Sequence, residues 1–260
     1  MLQRNHLFLI KELVRRDFQG RYAGSLLSFL WSFIQPLWLL LLFTFLFSTV
    51  MRIKLEQYGY PTTNFGIFLF AGLLPWMAIQ EGVQRSSTAI TDNAALVKKL
   101  RFPSEILVVS IILAALLHEA IAAAVFILVL VVLGQFSGAT LAWLALAVPL
   151  QLTVTLGLGL LLASVHVFFR DTAQIIGMVL SGWFYLTPIV YPLGMVPEGF
   201  RPWIEANPLT PLISLYRSAF LGRPFEPGPP AIGLGLAAVV LPVAGLWLFR
   251  RLRPSFVDEI

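Results

Sequence analysis

The sequence has no cysteine and few charged side chains. Among its 260 residues there is no Cys, and Asp, Glu, Lys and Arg together account for 12%. Without cysteine the chain forms no disulfide bonds and performs no thiol chemistry, although this says little about its compartment. The acidic residues are scattered, whereas an integral membrane enzyme would need carboxylates or histidines clustered at one membrane face.

A nucleotide-binding P-loop is also missing. That loop needs glycines followed by Gly-Lys-Ser/Thr, because its backbone N–H groups surround the phosphates. The four lysines are Lys11, Lys54, Lys98 and Lys99, and none of them follows a glycine. We therefore predict that the chain is not an enzyme on its own and binds no cofactor. Any process driven by ATP would require an ATPase on a separate chain.

Long apolar runs dominate what is present, and 58% of the residues are hydrophobic. A helix needs about 20 apolar residues to cross a bilayer, and only helices and closed barrels can span one. The runs are continuous rather than alternating, which favours helices over barrel strands. We predict an all-α membrane protein with one domain over residues 1–260 and six transmembrane helices, at residues 26–50, 64–81, 105–133, 140–165, 174–192 and 231–249.

The distribution of basic residues predicts the orientation. Most of the 18 Lys and Arg residues lie before the first run, after the second, after the fourth and in the C-terminal tail. Basic residues accumulate on the cytoplasmic side of a membrane protein. We therefore expect both termini in the cytoplasm. The bias accounts for the formal charge of +5 without a nucleic-acid partner.

The segment at residues 1–25 precedes the first span and has the pattern of an amphipathic helix. Apolar side chains recur at helical spacing from Leu7 to Phe18, while the cations fall elsewhere on the helix. A helix of this kind lies in the membrane interface with its cations near lipid headgroups. Two interpretations stay open. The helix is a brace parallel to the membrane, or its residues attract the phosphate of an entering lipid-linked substrate; the candidates are Arg15, Arg16, Arg21 and Tyr22.

Residues 84–105 form the one sizeable loop on the predicted cytoplasmic side. Ser and Thr at residues 86–88 are suited to cap a helix, and Pro103 ends one near Phe102. We expect a short basic helix over residues 94–102, with apolar side chains that have no lipid to cover. An apolar patch surrounded by charge favours docking to a second protein, and a solvated loop is the alternative.

Four stretches of the sequence, in order along the chain, resemble a known transporter family. They are RYAGSLLSFLWSFIQP at 21–36, KKLRFPSEIL at 98–107, VHVFFRD at 165–171, and TPIVYP at 187–192 followed by NPLTPLISLYR at 207–217. The chain resembles the permease subunits of type-two ABC transporters that export O-antigen, capsule or teichoic-acid polysaccharides.

This resemblance implies a homodimer in the bacterial inner membrane with two bound ABC ATPase subunits. Those subunits would hold ATP and Mg, and a lipid-linked polysaccharide would pass outward between the two permease copies, amid membrane lipids. The loop at 84–105 would couple the ATPase to the permease. Its candidate coupling residues are Leu96, Lys98, Lys99, Leu100, Arg101, Phe102, Pro103 and Glu105.

Aromatic rings in the first, second and fifth spans are candidates for the channel lining. The apolar C–H faces of sugars stack on rings, and a sliding polymer is better served by many weak contacts than by one deep site. Each ring has a structural alternative, since Trp and Tyr also favour bilayer interfaces. The candidates are Trp31, Phe33, Trp38, Phe68, Phe70, Trp183, Phe184, Tyr185 and Tyr191.

The loop at residues 193–230 is rich in proline and yet carries many apolar side chains. Residues 209–221 are too short to span the membrane, and irregular backbone at that depth must be sheltered by protein or line a cavity. The resemblance implies short re-entrant helices here, between the fifth and sixth spans. Trp203, Tyr216 and Arg217 are the candidates for a periplasmic mouth.

Two ionisable residues, His118 and Glu119, lie near the middle of the third span. Such residues usually face the interior of the helix bundle, because insertion at that depth costs about 2.5–3.5 kcal/mol. They favour either an interhelical hydrogen bond or a proton relay. A proton-coupled transporter built on this pair is therefore one alternative to polysaccharide export. An ABC exporter of drugs or small lipids, from the same superfamily, is another.

Overall fold

The computed structural model describes residues 2–22, 31–60, 64–99, 102–222 and 224–260, without the side chains of 2–5, 21–22 and 31–33. Within these ranges every regular element is helical, as predicted. The helices are α1 Leu2–Tyr22, α2 Trp31–Phe43 with a π-helical continuation Thr44–Val50, α3 Phe65–Ser87, α4 Ala89–Asp92, α5 Ala94–Val97, α6 Glu105–Val132, α7 Ala139–Phe168, α8 Thr172–Leu186, α9 Arg201–Ala206, α10 Leu209–Leu221, α11 Pro229–Leu252 and α12 Phe256–Glu259. Short 3-10 turns occupy Glu56–Tyr58, Leu193–Met195 and Arg253–Ser255.

Four of these helices are long and apolar enough to cross a membrane. They are α3, α6, α7 and the segment from α11 to Glu259. Two shorter apolar helices, Ile34–Val50 and Thr172–Leu186, overlap the predicted first and fifth spans. The predicted start of the first span, at residues 26–30, lies outside the described residues. The helix predicted to reach residue 192 ends at Leu186, because Pro188 disfavours the α conformation at Thr187.

Helix α3 occupies the centre of the bundle. In its most apolar stretch 83% of the residues are buried, against 22% for the segment that begins with α11. Its partners are α6, α7, α8, α10 and the end of α2. The outer helices thus keep apolar side chains on the surface, as expected for a protein surrounded by lipid.

The close approach of α7 and α11 depends on glycine. A Cβ atom at Gly157 would lie 2.4 Å from the backbone carbon of Leu241, and one at Gly245 would lie 2.6 Å from the Gly157 carbonyl oxygen. Small residues at such crossings allow helix backbones to come together, which strengthens van der Waals contact between membrane helices. Gly157 and Gly245 thus allow α11 to pack directly against α7.

Helix α10 is short but almost completely buried. All its residues except Ser214 are buried, and it lies against α3 and α7. The Phe220 ring packs on that of Phe126 of α6, with centroids 4.9 Å apart. The helix ends at Gly222, whose φ of +66° is one that glycine adopts without strain.

Candidate functional site

Helices α4 and α5 form the loop that the sequence predicts to be a coupling element. Thr88 precedes α4, and its hydroxyl donates to the Asp92 carboxylate at 2.6 Å. Helix α5 ends at Val97, so the prediction of one helix continuing to Phe102 is wrong. The N–H of Lys99 bonds to the Leu96 carbonyl, three residues back, at 3.2 Å, so the α-helix gives way to a tighter turn at Lys98.

The C-terminal segment braces this loop. Arg253 forms an ion pair with Glu105 at 3.2 Å and donates to the Phe102 carbonyl at 2.8 Å. Below it, the buried Phe256 ring lies 5.2 Å from that of Phe249. We call this end of the bundle, which holds α4, α5 and the segment after α11, the basic end. Its loop is therefore a packed element rather than a free one.

The predicted coupling residues divide into two groups in the structure. Lys98 and Lys99 are exposed, whereas the apolar Leu96 and Phe102 are half-buried against the cluster that contains Phe256. Pro103 and Glu105 are also half-buried. Leu100 and Arg101 lie outside the described residues. The loop thus presents cationic side chains to the surface and directs its apolar side chains inward.

Helix α1 is anchored to the bundle by an ion-pair network. Asp17 of α1 pairs with Arg85 of α3, and Arg85 also pairs with Glu81 at 3.0 Å. The ring of Phe18, the next residue after Asp17, lies 5.2 Å from that of His118 of α6. The N-terminal helix is therefore joined to two central helices and is not a separate appendage.

The candidate phosphate-binding cations lie along α1. Arg15 and Arg16 are exposed, and Arg16 borders a cavity of about 230 Å³ together with Asp17 and Arg85. The side chains of Arg21 and Tyr22 are outside the described part of the chain. Leu7 and Phe8 on the same helix are exposed as well.

A buried polar network joins α6, α7 and α10 in the middle of the bundle. The Gln151 amide donates to the Glu119 carboxyl, and the Tyr216 hydroxyl donates to the amide oxygen of Gln151. The interhelical hydrogen bond predicted for Glu119 is thus present. Sequence reasoning missed its partner, although a single glutamine inside the apolar run at 140–165 was the available signal.

A cavity of about 340 Å³ lies beside this network, among α2, α3 and α6. Its polar lining comes from Gln35, Glu81, His118 and Glu119, and the remainder is apolar. Within the described residues no group of three or more His, Cys, Asp or Glu is arranged to hold a metal ion.

The nine candidate channel aromatics occupy very different environments. Trp38 and Tyr185 are 65% and 67% exposed, while Phe68 and Phe70 are buried inside the chain's own core. Trp183, Phe184 and Tyr191 are half-buried, and the Tyr191 hydroxyl donates to the Tyr185 carbonyl at 2.8 Å. The side chains of Trp31 and Phe33 are not among those described. The structure therefore brings only part of the set to the surface.

The opposite end of the bundle, which we call the α10 end, contains a second polar cavity of about 370 Å³. Arg217 borders it and is 3% exposed, whereas Tyr216 faces the interior network and Trp203 is 78% exposed. Tyr58 and Tyr60 also line the cavity, although neither was a candidate site residue from the sequence. Their signal was two tyrosines in a short loop beside the first and second spans.

Comparison with known proteins places this arrangement in a family. The model of the ABC-2 type transporter family matches residues 9–221. The O-antigen export system permease protein RfbA of Myxococcus xanthus is 33% identical over 97% of this chain and 95% of its own length. RfbA of Klebsiella pneumoniae is 29% identical over 96% and 94%. The polysialic acid transport protein KpsM of Escherichia coli is 25% identical over 93% and 92%. The chain therefore belongs to the ABC-2 type transporter family.

Proposed function

We propose that this chain is the permease subunit of an ATP-driven exporter of lipid-linked polysaccharide. One observation carries the proposal: its similarity to an O-antigen export permease extends over 97% of the chain, so it covers the whole helical framework rather than one motif. The absence of a P-loop agrees with a division in which a separate ABC ATPase holds ATP and Mg.

The proposed topology has six spans in the bacterial inner membrane, with both termini in the cytoplasm. The four long helices are joined by α2 with its π-helical continuation and by α8 as the first and fifth spans. In this topology α9 and α10 are re-entrant, and the buried position of α10 against α3 and α7 supports that assignment. The basic end then faces the cytoplasm, in agreement with the positive-inside rule.

The ATPase is proposed to dock at the basic end. Lys98 and Lys99 are the exposed cations of the loop, and Arg101 belongs to the same basic run. The ion pair between Arg253 and Glu105 connects this loop to the start of α6. Movement of a bound ATPase would therefore reach α6 through the loop itself.

The substrate path is proposed to lie between two copies of the chain. The exposed rings of Trp38 and Tyr185 are suited to contact sugars there, because aromatic faces provide flat apolar platforms. Arg15 and Arg16, together with Arg21 and Tyr22, would attract the lipid phosphate at the cytoplasmic surface. The buried Phe68 and Phe70 instead support the fold of each copy.

A charge-reversal experiment tests the docking assignment. Lys98→Glu, Lys99→Glu and Arg101→Glu would be combined in the permease, and the permease–ATPase complex would be reconstituted in liposomes. Like charges brought together at an interface cost several kcal/mol, so we expect export and coupled ATP hydrolysis to fall at least about tenfold while the permease dimer still assembles.

The matched control is Lys54→Glu, an exposed cation at the α10 end. It should leave export unchanged. Export that persists with all three charges of the loop reversed would show that the ATPase docks elsewhere.

A further inference from the structure

The cavity at the α10 end lies where five short segments meet. These are the 3-10 turn at Glu56–Tyr58, the turn at Leu193–Met195, α9, α10 and the chain at 224–226. Its volume of about 370 Å³ lies within the range of small-molecule sites, which is roughly 300–1,000 Å³. We call it the mixed-charge cavity, because guanidinium and carboxylate groups both line it.

The lining combines aromatic rings with donors and acceptors of both signs. Tyr58 and Tyr60 contribute half-buried rings. The charged groups of the lining are two guanidiniums and two carboxylates, which belong to Arg201, Arg217, Glu205 and Glu226. A ligand of one charge would meet a like charge on this wall, which disfavours phosphates and metal cations alike. A neutral ligand with many hydroxyls is matched, because guanidinium groups only donate and carboxylates only accept.

The walls of the mixed-charge cavity are fixed by the protein's own contacts. Arg201 donates to the Val196 carbonyl at 2.9 Å and to the Gly194 carbonyl at 3.3 Å. The Tyr58 ring lies so close to Gly194 that a Cβ there would be 2.9 Å from the ring. A preformed wall binds a ligand without first losing side-chain freedom.

Arg217 is the deepest of the charged groups. Its side chain is 3% exposed, its Nη2 donates to the Ile189 carbonyl at 2.8 Å, and its guanidinium lies 3.7 Å from the centre of the Phe68 ring. The same guanidinium is 5.9 Å from the centre of the Tyr60 ring. The cation is therefore held in place by α3 and by the chain after α8, with its position set relative to the tyrosine.

We propose that the mixed-charge cavity is a binding subsite for a sugar residue of the exported polymer. A pyranose ring has an apolar C–H face for the tyrosine rings and hydroxyls around its edge for Arg201, Arg217 and Glu205. Ser214 and Ser218 add hydroxyl groups on the α10 wall. The inference rests on the proposed function, since that function supplies the saccharide, and it places a contact on the outer side of the membrane.

Saturation-transfer NMR tests the subsite on the permease–ATPase complex in lipid nanodiscs. The probes are the methyl glycosides of glucose, galactose, mannose, rhamnose and N-acetylglucosamine, with sorbitol as an acyclic polyol reference. We expect transfer from the protein to the ring C–H protons of at least one glycoside. Tyr58→Leu, which removes a ring, should weaken that binding by about threefold to tenfold.

Two further variants sharpen the result. Glu205→Gln keeps the shape of the wall and removes its charge, so we expect weaker binding of the same glycoside. Phe136→Leu is the matched control, because this exposed ring in the turn after α6, at the same end, does not line the cavity. It should bind the glycoside like the unmodified complex.

The subsite is refuted if no glycoside receives saturation above sorbitol, or if Tyr58→Leu and Phe136→Leu have the same effect. Export of polymer by the unmodified complex is measured separately. Export without glycoside binding would remove the subsite and leave the proposed function intact, while a complex that exports no polysaccharide would remove the proposed function itself.

Discussion

At the scale of single residues, the buried hydrogen bonds of Glu119, Gln151 and Tyr216 are the most informative contacts. They join three helices inside the bundle, where these polar side chains are buried and each depends on the others. Gln151 is central because it donates through its amide nitrogen and accepts through its amide oxygen. This arrangement accounts for an ionisable residue in the third span without assigning it to proton transport.

Gln151→Met tests this role at similar side-chain size. The substitution leaves the Glu119 carboxyl and the Tyr216 hydroxyl without their shared partner, so we expect the free energy of unfolding to fall by about 1–2 kcal/mol. Denaturant unfolding of the purified protein in detergent micelles provides the measurement.

Gln174→Met is the control for the residue type, because Gln174 is exposed on α8. It should unfold like the unmodified protein. Equal stability of the Gln151 and Gln174 variants would mean that the network contributes nothing to the fold.

At the scale of elements, hydropathy predicted the long helices well. A continuous apolar run requires a helix in lipid, so α3, α6 and α7 follow from the sequence alone. The end of α5 at Val97 did not follow, because the stop signal in the sequence, Pro103, lies six residues further along the chain. Helix α10 was expected from its length and composition, yet its burial is visible only in three dimensions.

The candidate site was predictable to a smaller extent. Charge and ring type selected Lys98, Lys99, Trp38 and Tyr185, which are exposed as a contact residue must be. The same criteria also selected Phe68, which is buried, because a ring in an apolar run carries no local sign of the face it occupies. Tyr58 and Tyr60 were not selected, because the other residues that line the mixed-charge cavity are distant in the sequence and come close only in the folded chain.

The brace between the C-terminal segment and the coupling loop leads to a prediction about Arg253. Arg253→Gln removes the ion pair with Glu105 and weakens the contact with the Phe102 carbonyl. A partly exposed ion pair contributes little stability, about 0–1 kcal/mol, so the protein should still fold. The loop should become less ordered. We therefore expect the stimulation of ATP hydrolysis by polysaccharide to fall at least about threefold.

Arg250→Gln is the matched control, since Arg250 is an exposed cation on the neighbouring turn of α11. ATPase assays with and without polysaccharide give the comparison, and unfolding curves confirm that both variants fold. If the Arg253 and Arg250 variants respond alike to polysaccharide, the brace has no part in coupling.

At the scale of the whole molecule, the chain is a helical bundle with different chemistry at its two ends. The basic end has exposed lysines and a braced loop, while the α10 end has a cavity of rings and mixed charge. Over nearly its full length the chain is similar to polysaccharide-export permeases, and the proposed function assigns a role to each end. In that account, a partner supplies energy at one end and the polymer leaves at the other.

Reconstitution tests this account most directly. The permease is placed in liposomes alone or with a candidate ABC ATPase from the same organism, and ATP-dependent movement of the host's lipid-linked polysaccharide across the bilayer is measured. We predict transport only when both proteins and ATP are present, with ATP hydrolysis only in samples that contain the ATPase. Transport or ATP hydrolysis by the permease alone, with or without an ion gradient, would contradict the account.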